Sequence, residues 1–454
     1  MRARVGTTAW SNTGVRLRAA LIRTGWVRAV PAILIATATA YTGSAQTSPG
    51  TDWPQWGGPH RNFTSDATGL ADAWPASGPP VRWTRPLGLG HSAIVSGAGR
   101  LFTLYRPGRE VSRKGPWERE EAVIALEAAT GKTLWEHRYA SEPLNFSYGA
   151  GPHATPLVSG DRIFTTGTNK QLFALDAATG RVIWSHDLVK EYGAPPTLAR
   201  PAVKAGYAIS PLAWRDTIIV QAGGPGQAVM AFRQADGALV WKSGDFLVSE
   251  SSPILIDVAG QPQVVIVAGQ AVHGLDPANG EVLWSHPHDT QGDMNNSTPV
   301  WSPDGILVVS SGYDQGTRAL RLTRQAAATR VEELWFTNRL KVMFASVVRI
   351  DDHIYGSHGD FGPAFLTALD VRTGAIAWQE RGFGRSSLVL ADGKAILIDE
   401  DGDLALLRLT PQGATVLAQT RIFNTTSWTA PTLVGTTLYA RDREKVVALE
   451  LGRP

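Results

Sequence analysis

The stretch ALDAATGRVIW, residues 174–184, decides the fold because it comes back along the chain. Residues 125–135 read ALEAATGKTLW, residues 274–284 read GLDPANGEVLW and residues 368–378 read ALDVRTGAIAW. Residues 231–241 (AFRQADGALVW) are a looser copy, and residues 320–335 and 406–418 are degenerate ones. A β-prone run ends at the Asp or Glu, whose carboxylate can accept backbone N–H groups in a tight turn. The Gly supplies the positive φ that the return needs. The next strand alternates inward and outward, which carries its Trp to a buried face.

Upstream of each copy lies a second hairpin that opens on a Ser/Thr-Pro-like start, as at Thr155-Pro156, Ser252-Pro253 and Thr298-Pro299. Each unit therefore has four strands, and no amphipathic helix separates units. The tip tryptophans Trp135, Trp184, Trp241, Trp284, Trp335 and Trp378 are spaced by 49, 57, 43, 51 and 43 residues. Four strands repeated at that period predict an all-β propeller. Residues 429–450 supply only three strands. The missing fourth sits at residues 81–87, around Trp83, and its pairing with residues 446–450 would close a ring of eight blades and remove an exposed edge.

The formal charge of +3 rests on the first 45 residues, which hold six arginines and no acidic residue. An apolar run at residues 29–40 and the small residues Gly43-Ser44-Ala45 complete the pattern of a signal peptide. Without residues 1–45 the chain keeps 37 basic and 40 acidic residues, so its high pI is no argument for nucleic acid. The organisation expected is a signal peptide at 1–45, an extended wrap round the outside of the ring at 46–80, and one propeller at 81–454. There is no cysteine, which excludes disulfides, thiol nucleophiles, thiolate metal sites and an N-terminal lipid anchor. The expected location is periplasmic or secreted, with no membrane anchor.

The Ala-Leu-Asp-x-x-Thr-Gly-x-x-x-Trp phrases resemble the pyrroloquinoline-quinone (PQQ) type propeller repeat, shared by quinoprotein alcohol dehydrogenases and the outer-membrane-protein assembly propeller. The opening Asp52-Trp53-Pro54-Gln55-Trp56-Gly57-Gly58-Pro59-His60-Arg61 resembles that of many secreted PQQ-like repeat proteins. The signature residues build blades, so the resemblance carries the fold and not the cofactor. Its two branches imply either a binding scaffold or a PQQ- and Ca²⁺-dependent alcohol or sugar dehydrogenase.

The short turns between strands one and two, and the Asp-x-x-Thr-Gly turns, share one face of the ring. The blade-to-blade connections and the strand two-to-three loops share the other, where length varies, and variable loops on a rigid scaffold carry function. The residues before each innermost strand form the channel mouth there: His91, His153, Tyr207, Glu250, Asn296, Phe344, Arg385 and Trp428. That ring suits a protein, a peptide or a small molecule. For PQQ, Arg385 would pair with carboxylates, Trp428 would stack, and Glu250, Asn296 and Asp293 would offer oxygen ligands to Ca²⁺. The enzyme branch also uses an adjacent-cysteine disulfide, which is impossible here. The scaffold reading is preferred, and no cofactor is required for it. Elsewhere, Asp399-Glu400-Asp401-Gly402-Asp403 reads as a turn, His286-Pro287-His288-Asp289 as a solvated loop rather than a metal site, and residues 106–121 as a solvated hairpin tip.

Overall fold

Each repeat closes as the hairpin read from it. In residues 174–184 the Asp176 carboxylate accepts the N–H groups of Ala178 (3.1 Å) and Thr179 (2.9 Å), and the Thr179 hydroxyl (2.8 Å). Gly180 turns the chain at φ 72°. It also leaves a flat floor for the Trp135 ring of the preceding blade, since a Cβ at Gly180 would lie 2.5 Å from that ring. The Trp135 indole N–H then donates to the Ala177 carbonyl at 3.0 Å. The same step repeats round the ring. Trp83 donates to Ala128, Trp184 to Gln234, Trp241 to Pro277, Trp335 to Val371 and Trp378 to Thr410, all through carbonyls at 2.8–3.0 Å. Each of these six tryptophans bolts its blade to the next. Trp284 is the exception and donates to Gln263 Oε1 of its own blade at 2.7 Å. The following hairpin, Gly316–Gln325 with Ala328–Thr337, is longer than the other blade-tip hairpins.

The structure, a computed structural model, describes residues 52–453 except 76, 110–114, 145–147, 199–205, 345 and 361. The signal peptide expected at residues 1–45 lies outside the described residues. The described chain forms eight four-stranded antiparallel sheets, each in sequence order from innermost to outermost strand. The last sheet takes its outermost strand from Val81–Pro86, which pairs with Lys445–Glu450 from Val81↔Leu449 to Pro86↔Lys445. This is the expected closure. No helix of the described residues is long and apolar enough to cross a membrane.

The Ser/Thr starts of the innermost strands stitch neighbouring blades together. Ala93 N–H donates to Thr155 Oγ1, Thr155 N–H to Ser210 Oγ, Ser210 N–H to Ser252 Oγ and Thr298 N–H to Ser346 Oγ, all at 3.0–3.1 Å. A hydroxyl on each strand thus satisfies a buried backbone donor of the blade before it.

The N-terminal segment departs from expectation. Residues 52–65 do not wrap the outside of the ring; they enter its axis. Trp53 and Pro54 carbonyls accept the N–H groups of Ser96 and Val158 on the innermost strands of blades one and two (2.8 Å each). Phe63 O accepts from Leu390 N–H of blade seven, and Ser65 N–H donates back to Leu390 O (2.8 Å each). Between these legs the chain turns at Gly57 and Gly58 (φ 75° and 80°). Arg61 then caps the turn, donating to the carbonyls of Pro253 (2.6 Å), Pro211 (3.2 Å) and Ser210 (3.3 Å). Burial pulls its pKa down to about 9. The physical reason is volume: eight blades leave an axis that short innermost strands cannot fill, and Trp53 and Phe63 fill part of it, both almost fully buried. Only the later part follows the rim, where Leu70 N–H donates to Asp392 Oδ2 (3.0 Å) and Trp74 packs in the cluster holding Leu417 and Ala418.

Trp184 tests the bolt. Its ring is 8% exposed and lies on Gly237 of the next blade, where a Cβ would approach it to 2.8 Å. Trp184→Ala should cost about 3–5 kcal/mol as a buried aromatic truncation, read by urea denaturation. Near-neutral unfolding of that variant would contradict the packing.

Candidate functional site

The strand two-to-three turns and the blade-to-blade loops converge on one end of the axis and bring five of the eight predicted mouth residues together. The His91 and His153 rings stack at 5.4 Å, and His91 meets Trp428 at 5.3 Å. Phe344 lies on Trp428 at 4.5 Å and 26°. The Arg385 guanidinium sits 5.9 Å from the Phe344 ring, binds the Glu400 carboxylate at 2.9 Å and donates to Asp360 O at 2.9 Å.

The other three stand apart from this stack. Tyr207 is a correction: it is buried in the core cluster between blades with Leu212 and Trp241, not at the mouth. Glu250 Oε2 accepts from Ser249 Oγ at 2.8 Å, and burial pushes its carboxyl up to about 7. Asn296 is half-buried, and its Oδ1 has no hydrogen-bond partner among the described residues.

Four residues that sequence reasoning missed complete the mouth. Tyr148, from the loop joining blades one and two, crosses the axis and accepts a hydrogen bond from Tyr313 of blade five, hydroxyl to hydroxyl, at 3.0 Å. Its ring also meets Phe344 at 5.3 Å and Trp428 at 5.9 Å. Arg443 lies 5.1 Å from the Trp428 ring, donates to Tyr148 O at 3.2 Å and donates through Nε to His91 Nε2 at 3.2 Å. Glu400 accepts the Trp428 indole N–H at 3.1 Å while it pairs with Arg385. Because Arg443 can only donate, His91 Nε2 is unprotonated. Burial, His153 and the arginines hold His91 well below its usual pKa, and burial foremost takes His153 to about 4. Both imidazoles are neutral near pH 7. Tyr313, Glu400 and Arg443 sit in strand two-to-three turns, whereas the sequence reading counted only residues that precede the innermost strands.

Two other expectations change. The ends of the 106–121 insertion are not solvated: Arg106 and Glu121 are fully buried and paired at 2.8 Å. Glu121 also accepts from Tyr139 Oη (2.9 Å) and Thr168 N–H (3.1 Å), which ties the base of the insertion to blade two. His288 is likewise buried rather than in a solvated loop. Arg318 donates to His288 Nδ1 (2.9 Å), and His286 Nε2 lies against the Glu333 carboxylate (2.8 Å) beside the same guanidinium (3.1 Å). At residues 399–403, Asp399 Oδ1 accepts the N–H groups of Asp401 (3.1 Å) and Asp403 (2.9 Å), as a turn requires.

A quinone with calcium does not fit these contacts. A planar ring stacked on Trp428 meets Phe344 already in place, and Arg385 is held by Glu400. Of the suggested calcium ligands, Asp293 Oδ1 accepts from Gln270 Nε2 (3.1 Å), and Glu250 is pushed toward its neutral form. Among the described residues no group of three or more His, Asp or Glu is placed to hold a metal.

Fold and mouth together define an eight-bladed propeller whose loop face is a filled aromatic and guanidinium surface. Residues 119–380 match the family described as outer membrane protein assembly factor BamB. The chain belongs to this PQQ-like propeller family. It is 23% identical over 356 residues to outer membrane protein assembly factor BamB of Yersinia pestis, across 78% of this chain and 75% of that protein. The crystal structure of BamB from Moraxella catarrhalis shares the fold with a TM-score of 0.54 at 16% identity, over 83% of this chain and 98% of that one. The computationally designed Ika8 protein shares it at 0.52 and 10% identity, over 80% and 98%.

Proposed function

We propose that this chain is an exported binding scaffold that engages a protein partner through its loop face, as part of outer-membrane-protein assembly. The observation that carries this reading is the packing of the mouth. Tyr148, Phe344 and Trp428 fill the end of the axis, with Arg385 and Arg443 beside them. Aromatic and arginine side chains clustered at the centre of a rigid face are what protein interfaces use as anchors. The family relationship to BamB supports the same class of partner and a periplasmic location. A mature N-terminus at Gln46 in protein taken from its host would agree with export.

The test replaces Glu250, Arg385 and Trp428 together with alanine. The variant should melt cooperatively near the parent temperature and should fail to restore outer-membrane-protein levels in a host lacking the gene. Asp176→Ala, at a turn on the opposite face, should lower the melting temperature and still complement. The reverse pattern would refute the face assignment. Stoichiometric PQQ uptake with Ca²⁺ and alcohol-dependent dye reduction would overturn the scaffold reading in favour of a quinoprotein.

A further inference from the structure

Among the described residues, the N-terminal segment lines the axis on only one side at the end opposite the mouth. At one position of the innermost strands, Ser96, Val158 and Leu390 of blades one, two and seven give their N–H groups to the N-terminal segment. Counting from the Ser/Thr stitch, the equivalents in blades three to six are Ala213, Leu255, Trp301 and Arg349. Each is paired across its innermost hairpin at a position whose backbone N–H and C=O point away from the hairpin partner and into the axis. No described residue bonds these four N–H groups. The segment's turn, with Trp56 bonded to Thr298 Oγ1 at 2.8 Å and Arg61 on Ser210, Pro211 and Pro253, forms a floor beneath them. Leu255 stands 41% exposed although it belongs to an innermost strand, and Trp301 is half-buried.

We infer that this half-open cup is a second binding site, one that takes an extended, aromatic-rich segment of a partner protein by strand addition to the innermost strands of blades three to six. The chemistry is set by the occupant of the other half. Residues 53–65 lie there as extended chain, give carbonyls to the inward N–H groups and bury Trp53 and Phe63. The half where no described residue bonds the inward N–H groups continues that interface with the same backbone pattern and apolar walls at Leu255 and Trp301. Main-chain bonds would supply affinity, and these walls would select apolar side chains at alternate positions. The wall at blade six is already neutral, because Arg349 pairs with Asp304 at 2.6 Å, so the site does not ask for a charged ligand.

The probe is a fluorescein-labelled peptide alternating phenylalanine and threonine between terminal lysines, with serine in place of phenylalanine as the control. The aromatic peptide should bind the full chain with a Kd of roughly 10–100 µM, and the serine peptide should not. Leu255→Arg should weaken binding at least about tenfold, whereas the Glu250, Arg385 and Trp428 triple variant should bind as the parent does. Hydrogen exchange at the Leu255 and Trp301 amides should slow on binding, which apolar adhesion alone would not produce. Binding indifferent to Leu255→Arg, or unslowed exchange, would overturn the inference. A concentration-dependent dimer that Leu255→Arg dissolves would overturn it too, by assigning the cup to a second copy of this chain.

Discussion

A chain that begins at Gly88 should not fold as a stable propeller. Removing residues 1–87 strips Trp53, Phe63 and Leu70 out of sites where each is at most 2% exposed. Truncating one such side chain costs about 3–5 kcal/mol, so three reach the typical total stability of a domain, about 5–15 kcal/mol. The backbone adds to the loss. Lys445–Glu450 becomes an unpaired edge, Trp83 no longer donates to Ala128, and the N–H groups of Ser96, Val158 and Leu390 lose their acceptors. The expected result is a chain without a cooperative urea transition and with a collapsed near-ultraviolet circular dichroism signal. A cooperative transition close to that of the full chain would mean that neither the closure nor the axial segment holds the ring.

How much of this was legible follows from what repeats. The Asp-x-x-Thr-Gly turns and the Ser/Thr starts recur because every blade needs the same turn and the same stitch, so both could be read from one copy. The Trp was read as a blade-tip residue. Its partner, the next blade's Gly floor, was not, because a 3.0 Å bond from Trp135 to Ala177 links two copies and not two parts of one. The axial segment was misplaced for a related reason. Trp56 reaches Thr298 across 242 residues, and nothing periodic encodes a contact made once. At the mouth, five ring residues were found because they precede innermost strands. Tyr148 was missed because the path of an irregular loop across the axis leaves no pattern in the sequence. Tyr207 followed the pattern and still fell inside, since its ring packs among Leu212, Val229 and Trp241.

The buried imidazoles predict a marked acid sensitivity. Burial lowers His153 and His273 to about 4 and His288 to about 3, with Arg318 and His286 adding to the effect at His288. Between those values and about 6.5 the unfolded chain binds protons at these positions while the folded chain does not, so stability must rise with pH across that window. It is fully present above about pH 6.5 and is lost as pH falls toward 4. Glu250 acts in the opposite sense. Its carboxyl, raised to about 7 by burial, binds a proton in the folded chain through the range 4.5–7, which favours folding at the acid end. Three histidines outweigh one carboxyl, and the net loss from pH 7 to pH 4 should be on the order of 5 kcal/mol. The chain should therefore unfold at much lower urea at pH 4 than at pH 7. His288→Gln should flatten that dependence most, because its amide Nε2 can keep a bond to Ser311 Oγ, now 2.9 Å from His288 Nε2, without taking up a proton. A urea midpoint that stays level from pH 7 to pH 4 in the parent chain would show that these imidazoles bind protons in the folded state as readily as in water.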